Sequence, residues 1–130
     1  MNANAEVLKA IQAITASHPT SAVTHEGDGQ GGAWVTVDPV YIGDEWAPSS
    51  TAITFRIDRL TPAVDVYPHY VPADLHRKDG GDLGLGIHQN QRRGLDNALA
   101  VMISRSTPDH NAQNTPAVKL EKVLEWMRSR

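Results

Sequence analysis

Apolar positions recur at helical spacing near both ends of the chain and at strand spacing between them. Val7, Leu8, Ile11 and Ile14 form one stripe with a 3.6-residue period, which predicts an N-terminal helix. Asn2 or Asn4 is its expected cap. His18-Pro19 is its expected end, because the residue before a proline is pushed out of helical geometry. The clearest strand is Ile53, Phe55 and Ile57 alternating with Thr54, Arg56 and Asp58, one face buried and one wet. Weaker strand patterns stand at Ala22 to His25, at Ala33 to Val37 with Tyr41-Ile42, and at Val64 and Val66. Gly27 to Gly32, Asp38-Pro39 and Pro48 to Ser50 read as the turns and loops between them. Strands this close in sequence predict an antiparallel meander of four, since parallel neighbours need long crossovers.

Beyond the meander the periodicity stops. Pro68, Pro72, Gly80, Gly81, Gly84, Gly86 and Gly94 punctuate a stretch from Pro68 to Gly94 that is expected to be one long loop. A loop of that length in a compact domain is where a site is sought first. Leu95, Leu99, Met102 and Ile103 then fall on one face of a second expected helix, ending near Arg105. Ser106 to Asn114 reads as a polar loop. Thr115-Pro116 opens a final helix, Thr as cap and Pro in the first turn, with Leu120, Val123, Leu124 and Met127 as its buried stripe. The expected architecture is therefore a single α+β domain over residues 1–130: N-terminal helix, four-stranded antiparallel meander, long Pro/Gly-rich loop, two C-terminal helices. No internal repeat interrupts it.

Composition narrows the function classes. A chain of 130 residues buries roughly two-thirds of its unfolded surface, enough for one core. Its net charge is −3, and Lys and Arg are dispersed, with short clusters at Arg77-Lys78, Arg92-Arg93, Arg128 and Arg130. Nucleic-acid binding normally needs a denser basic stripe, so no nucleic-acid partner is expected. No apolar run approaches the ~20 residues of a membrane span, and the N-terminus lacks a basic-then-apolar leader. A cytoplasmic location is expected. There is no cysteine, which closes every thiol mechanism and fits a reducing compartment.

Of the six histidines, His69, His76 and His88 lie in the long loop with Asp74, Asp79 and Asp82. Their spacing matches no metal signature, so no metal is expected and surface histidines are the preferred reading. One of these histidines beside Asp74 or Asp79 would make an acid–base pair, because histidine titrates near neutral pH. The Gly27–Gly32 loop has no Lys-Ser/Thr after it and reads as a turn, not a phosphate cradle. Gly-x-Ser-x-Gly is absent, and Ser104-Arg105-Ser106 reads as a helix terminus. No cofactor is implied. Tyr67 and Tyr70, interleaved with Pro68 and Pro72, are either a rigid strand exit packed on the core or a preformed recognition ridge.

The order of these elements resembles the ubiquitin-conjugating-enzyme superfamily (the UBC-like fold, shared with RWD domains), and a divergent prokaryotic branch of it most of all. The resemblance runs from about Trp34 to the C-terminus. It is carried by Ile53-x-Phe55-x-Ile57, by Val71-Pro72-Ala73-Asp74-Leu75 with Asp79-Gly80-Gly81, by Ser104-Arg105, and by Thr115-Pro116. It implies a place in a bacterial ubiquitin-like modification system of the kind often linked to phage defence. The implied partners are an activating-enzyme-like protein, a ubiquitin-like modifier and a JAB-type metalloprotease. A conjugating enzyme carries its modifier as a cysteine thioester. Here the corresponding region, about Lys78 to His88, has no cysteine, and His76-Arg77-Lys78 stands without the usual His-Pro-Asn element. Fold and partners carry over; the activity does not. The expectation is a noncatalytic adaptor that binds through the meander and the Tyr67–Gly81 region, with Tyr67, His69, Tyr70, Leu75 and Asp79 as contacts. Two alternatives stand beside it: a small His/Asp enzyme working from the 68–94 loop, and a peptide-binding or scaffold module unrelated to ubiquitin.

Overall fold

The computed structural model describes residues 3–130. Both terminal apolar stripes are helices. α1 is Ala5–Ser17 and buries Val7, Ile11 and Ile14. Asn4 is its cap, with Oδ1 accepting from the Val7 N–H at 2.9 Å; the alternative cap, Asn2, lies outside the described residues. His18 closes the helix before Pro19, as the sequence predicts. α2 is Pro116–Arg128, capped by Thr115, with Pro116 in its first turn. Among the described residues no helix is long and apolar enough to cross a membrane.

Eight strands lie between them: β1 (Ala22–Gly27), β2 (Ala33–Tyr41), β3 (Trp46–Ala47), β4 (Ser50–Ile57), β5 (His69–Pro72), β6 (His76–Arg77), β7 (Ile87–Arg93) and β8 (Ala98–Ile103). Six of them form one sheet in the order β1-β2-β4-β5-β8-β7, every neighbour antiparallel. Its first three strands are those expected of the meander, and β5 takes the place of the fourth, which was expected at Val64 and Val66. Val35, Phe55, His69, Ile103 and Ile87 stand opposite one another in register on the same side of the sheet. With the stripes of α1 and α2, the four apolar residues of this row belong to one hydrophobic cluster. Each fully buried Ile, Leu or Phe contributes about 1.5–3 kcal/mol, and this face holds most of them.

β3 and β6 form a separate two-stranded ladder. It pins the chain to the end of α2: Trp46 is fully buried, its Nε1–H donates to the Met127 carbonyl at 3.0 Å, and the Arg77 guanidinium lies 4.0 Å over its ring. The approach is close enough that a Cβ on Gly43, whose φ is +120°, would sit 3.2 Å from the Arg128 Cα.

Several expectations are corrected. The second helix does not exist: residues 98–103 are β8, and Leu95, Leu99, Met102 and Ile103 match helical spacing by coincidence. Leu95 and Leu99 are exposed, and of the four only Ile103 is buried. The turn is written in Gly94 and Asn97, which adopt positive φ of 76° and 55° and reverse the chain between β7 and β8. There is thus one C-terminal helix, and the sheet has six strands where a four-stranded meander was expected. The stretch from Pro68 to Gly94 is not one irregular loop, since it contains β5, β6 and β7. Pro68 and Pro72 do not exclude their neighbours from the sheet: Tyr70 pairs with both Thr54 and Met102, and Pro72 stands opposite Ala100. Val64 and Val66 are outside any strand, although Val66 is buried. Asp38-Pro39 is not a turn either; β2 runs through it with a bulge between Val37 and Val40.

Candidate functional site

Helices cover one face of the sheet and leave the other open. On the open face Thr24, Thr36, Thr54, Tyr70, Met102 and His88 stand in register, one from each strand in sheet order. Alternation puts them there, because their neighbours Val35, Phe55 and His69 point into the core. The Thr36 and Thr54 hydroxyls bond across the strands at 2.9 Å. Glu26, Trp34 and Arg56 form the next row. Trp34 and Tyr70 meet at a centroid distance of 6.1 Å, tilted by 48°, an ordinary aromatic pairing geometry.

Two clefts lie on this face with Trp34 lining both, and together they make up the groove considered below. The smaller, of about 90 Å³, lies over Thr24, Trp34, Thr36 and Thr54 and is closed by Leu95 and Asp96 of the β7–β8 turn. A turn from the sixth strand therefore reaches residues of the first, so the sheet curls around its open face. The larger, of about 260 Å³, runs past Trp34 and Tyr70 to Tyr67, Pro68 and Asp65. The Tyr67 and Ser104 hydroxyls are hydrogen-bonded, which fixes the outer tyrosine. Burial, with a smaller contribution from Tyr67, raises the Tyr70 phenol above its ordinary pKa, so it stays protonated and able to donate.

The charged groups of the groove are largely spoken for. Arg56 Nε donates to Asp28 Oδ2 at 2.8 Å, and its Nη1 lies 3.8 Å from Asp58. Asp28 also accepts from the N–H groups of Gln30 and Gly32 at 2.8 and 3.0 Å. The glycine loop is thus a turn folded round its own carboxylate. Burial works to raise the Asp28 pKa, but the Gln30 N–H and Arg56 outweigh it and hold the carboxyl below its usual value. A Cβ on Gly32 would meet the Ile57 carbonyl at 2.5 Å, so only glycine fits there.

A second polar cluster lies under the sheet. Lys119 is almost fully buried and donates to Asp65 Oδ2 at 2.9 Å and to Thr107 Oγ1 at 2.6 Å. Asn114 Nδ2 is shared among Asp65, Thr107 and His110 Nδ1. His110 Nε2 lies 2.9 Å from the Pro62 carbonyl, which makes Nε2 the protonated nitrogen. Burial alone would raise the Asp65 carboxyl, yet hydrogen bonds from Lys119 and the Thr107 N–H hold it below its ordinary range.

The structure separates the residues that the sequence offered for catalysis. His69 is fully buried on the helix face, 5.0 Å from Phe55 between ring centroids, and neither ring nitrogen has a hydrogen-bond partner. Burial is the main cause that pushes its pKa down to about 3, so it is neutral at pH 7. His88 is exposed on the opposite face. His76 is exposed in β6, its Nδ1 at 2.9 Å from the Asp74 backbone carbonyl, not the carboxylate. Asp74 is exposed, and Asp79 caps its own turn by accepting from the Gly81 N–H at 2.8 Å. No His–Asp acid–base pair is formed from His69, His76, His88, Asp74 and Asp79. Among the described residues no group of three or more His, Asp or Glu is placed to hold a metal.

The residues offered for partner binding divide. Tyr67 and Tyr70 are brought together in the groove. His69 and Leu75 are in the core, and Asp79 lies on a different loop. Sequence reasoning missed Trp34, Thr36 and Arg56 as site residues, although the wet half of the β4 alternation already names Thr54 and Arg56. It also missed Lys119, whose position inside the apolar stripe of α2 signals a buried charge that needs a partner.

The chain matches no protein-family model, no curated protein and no solved structure.

Proposed function

We propose that the chain is a noncatalytic adaptor of the UBC-like kind, which binds a protein partner in the groove on its open sheet face. The partner class is that of a bacterial ubiquitin-like modification system: a ubiquitin-like modifier or an activating-enzyme-like protein, with a JAB-type protease in the same system. The observation that carries the reading is the pair of clefts on the open face, with Trp34 lining both and Tyr67 and Tyr70 lining the larger. Rigid aromatics of this sort give contact area at low entropic cost and dominate binding energy in protein interfaces. A chain with no cysteine cannot hold a thioester, which favours recognition over transfer. Most of the groove's charges are paired within the chain, Glu26 excepted, so affinity should come mainly from aromatic contact and depend only weakly on salt.

Titration calorimetry of the purified chain against a bacterial ubiquitin-like modifier and an activating-enzyme-like protein tests the reading. The expected result is saturable binding to one of them, weakened at least about tenfold by Trp34→Ala or Tyr67→Ala, as for interface aromatics generally. Binding to neither, or binding indifferent to both substitutions, would overturn it.

A further inference from the structure

A separate pocket lies on the flank of α2, beside the segment that follows β8. It has a volume of about 190 Å³ and is lined by Arg105, Ser106, Thr107, Lys119, Lys122 and Trp126, with no carboxylate among its lining residues. The chain as a whole is acidic, at −3, so this is a local reversal of sign. Arg105 and Arg130 both lie over the Trp126 ring, at 4.7 and 4.4 Å from its centroid. Among the described residues neither these two arginines nor Lys122 is paired with an acid. Gathering unpaired like charges costs free energy that a bound anion would offset.

The hydrogen-bond inventory points the same way. The Lys119 ammonium has three N–H donors, and Asp65 and Thr107 take two of them. Thr107 Oγ1 accepts from Lys119 and from Asn114, so its own proton is left to donate. The pocket therefore offers a buried ammonium N–H, a hydroxyl, an exposed ammonium and a guanidinium. The matching ligand is one that only accepts and presents several oxygens at once. Liquid water takes about 30 Å³ per molecule, so the volume suits a group of phosphate or diphosphate size. We infer that this pocket binds a phosphate-bearing anion, held by Arg105 and Lys122 at its rim and by Lys119 and Thr107 at its floor. Arg and Lys with hydroxyls are the usual donors to phosphoryl oxygens.

The test is titration of the full chain with orthophosphate, diphosphate and ATP, followed by calorimetry and by the indole N–H resonances. Trp126 forms a wall of the pocket, while Trp34 and Trp46 lie elsewhere and act as internal controls. Diphosphate should bind saturably and more tightly than orthophosphate, and should shift the Trp126 resonance alone. Lys122→Gln and Arg105→Gln, both at exposed positions, should each weaken it about tenfold, the loss of one charge-assisted hydrogen bond. Lys9→Gln on α1 should change nothing. Equal affinity for diphosphate and ATP would assign the site to the phosphates alone; tighter ATP binding would assign it to a nucleotide. No saturable binding at millimolar concentration, or the same affinity in Lys122→Gln as in Lys9→Gln, would overturn the inference. Because the groove is not used, loss of partner binding in Trp34→Ala leaves this result untouched.

Discussion

At the scale of single residues, the buried ionisable groups set how the protein responds to acid. His69 has a folded pKa of about 3 against 6.5 when unfolded. Below pH 6.5 the unfolded chain takes up a proton that the folded one refuses. Stability should therefore fall by up to about 1.4 kcal/mol per pH unit from this group as pH drops from 6.5 toward 3. Asp65 and Asp28 have lowered folded values against 3.8. Their stabilisation is present above that value and is lost only as pH falls below it. The two windows separate the causes. His69→Leu should flatten the slope of urea-unfolding free energy between pH 6.5 and 4.5, and should leave stability at pH 7 unchanged or raised by about 1 kcal/mol, because the imidazole has no partner to lose. An unaltered slope in that variant would assign the acid response to other groups. Asp65→Asn has the opposite character. It strands a buried ammonium, and should cost about 3–5 kcal/mol by denaturant titration.

At the scale of elements, the terminal helices and β4 were legible because each carries a single period and a proper boundary residue. Asn4, His18-Pro19 and Thr115-Pro116 each do in the fold what their chemistry predicts. The β7–β8 hairpin was not legible, for a physical reason. Its outer strand has Ile87 as its one apolar residue and is polar from His88 to Arg93, and Leu95 and Leu99 are exposed apolar residues whose spacing imitates a helix. The reversing residues Gly94 and Asn97 were the better signal, and they outweigh periodicity at a short segment. Far-UV circular dichroism checks the outcome: helix should account for α1 and α2 only, 13 residues each, with β signal dominant. The candidate site was half legible. Tyr67 and Tyr70 could be picked out between their prolines, but Trp34 joins them only through register across β2, β4 and β5, which no local pattern encodes. The β3–β6 ladder is likewise non-local. Trp46→Ala should cost about 3–5 kcal/mol and loosen the end of α2, seen as faster amide exchange at Met127 and Ser129.

For the whole molecule, the division of labour follows from helices on one side only. The covered face supplies stability, and the open face can tolerate change. Trp34→Ala and Tyr67→Ala should therefore abolish or weaken partner binding while lowering Tm by only a few degrees, the shift expected from about 1 kcal/mol in a domain of this size. A large fall in Tm in either variant would move that residue from recognition to packing.

The curl of the sheet has a mechanical corollary. Leu95 and Asp96 at one rim and Thr24 at the other belong to opposite ends of an open gutter, linked to each other only through the strands between. Whatever spans that gap would act as a clasp across strands that otherwise fray independently. Amide exchange in β1 and in β7 should then slow together on loading, although the two share no hydrogen bond.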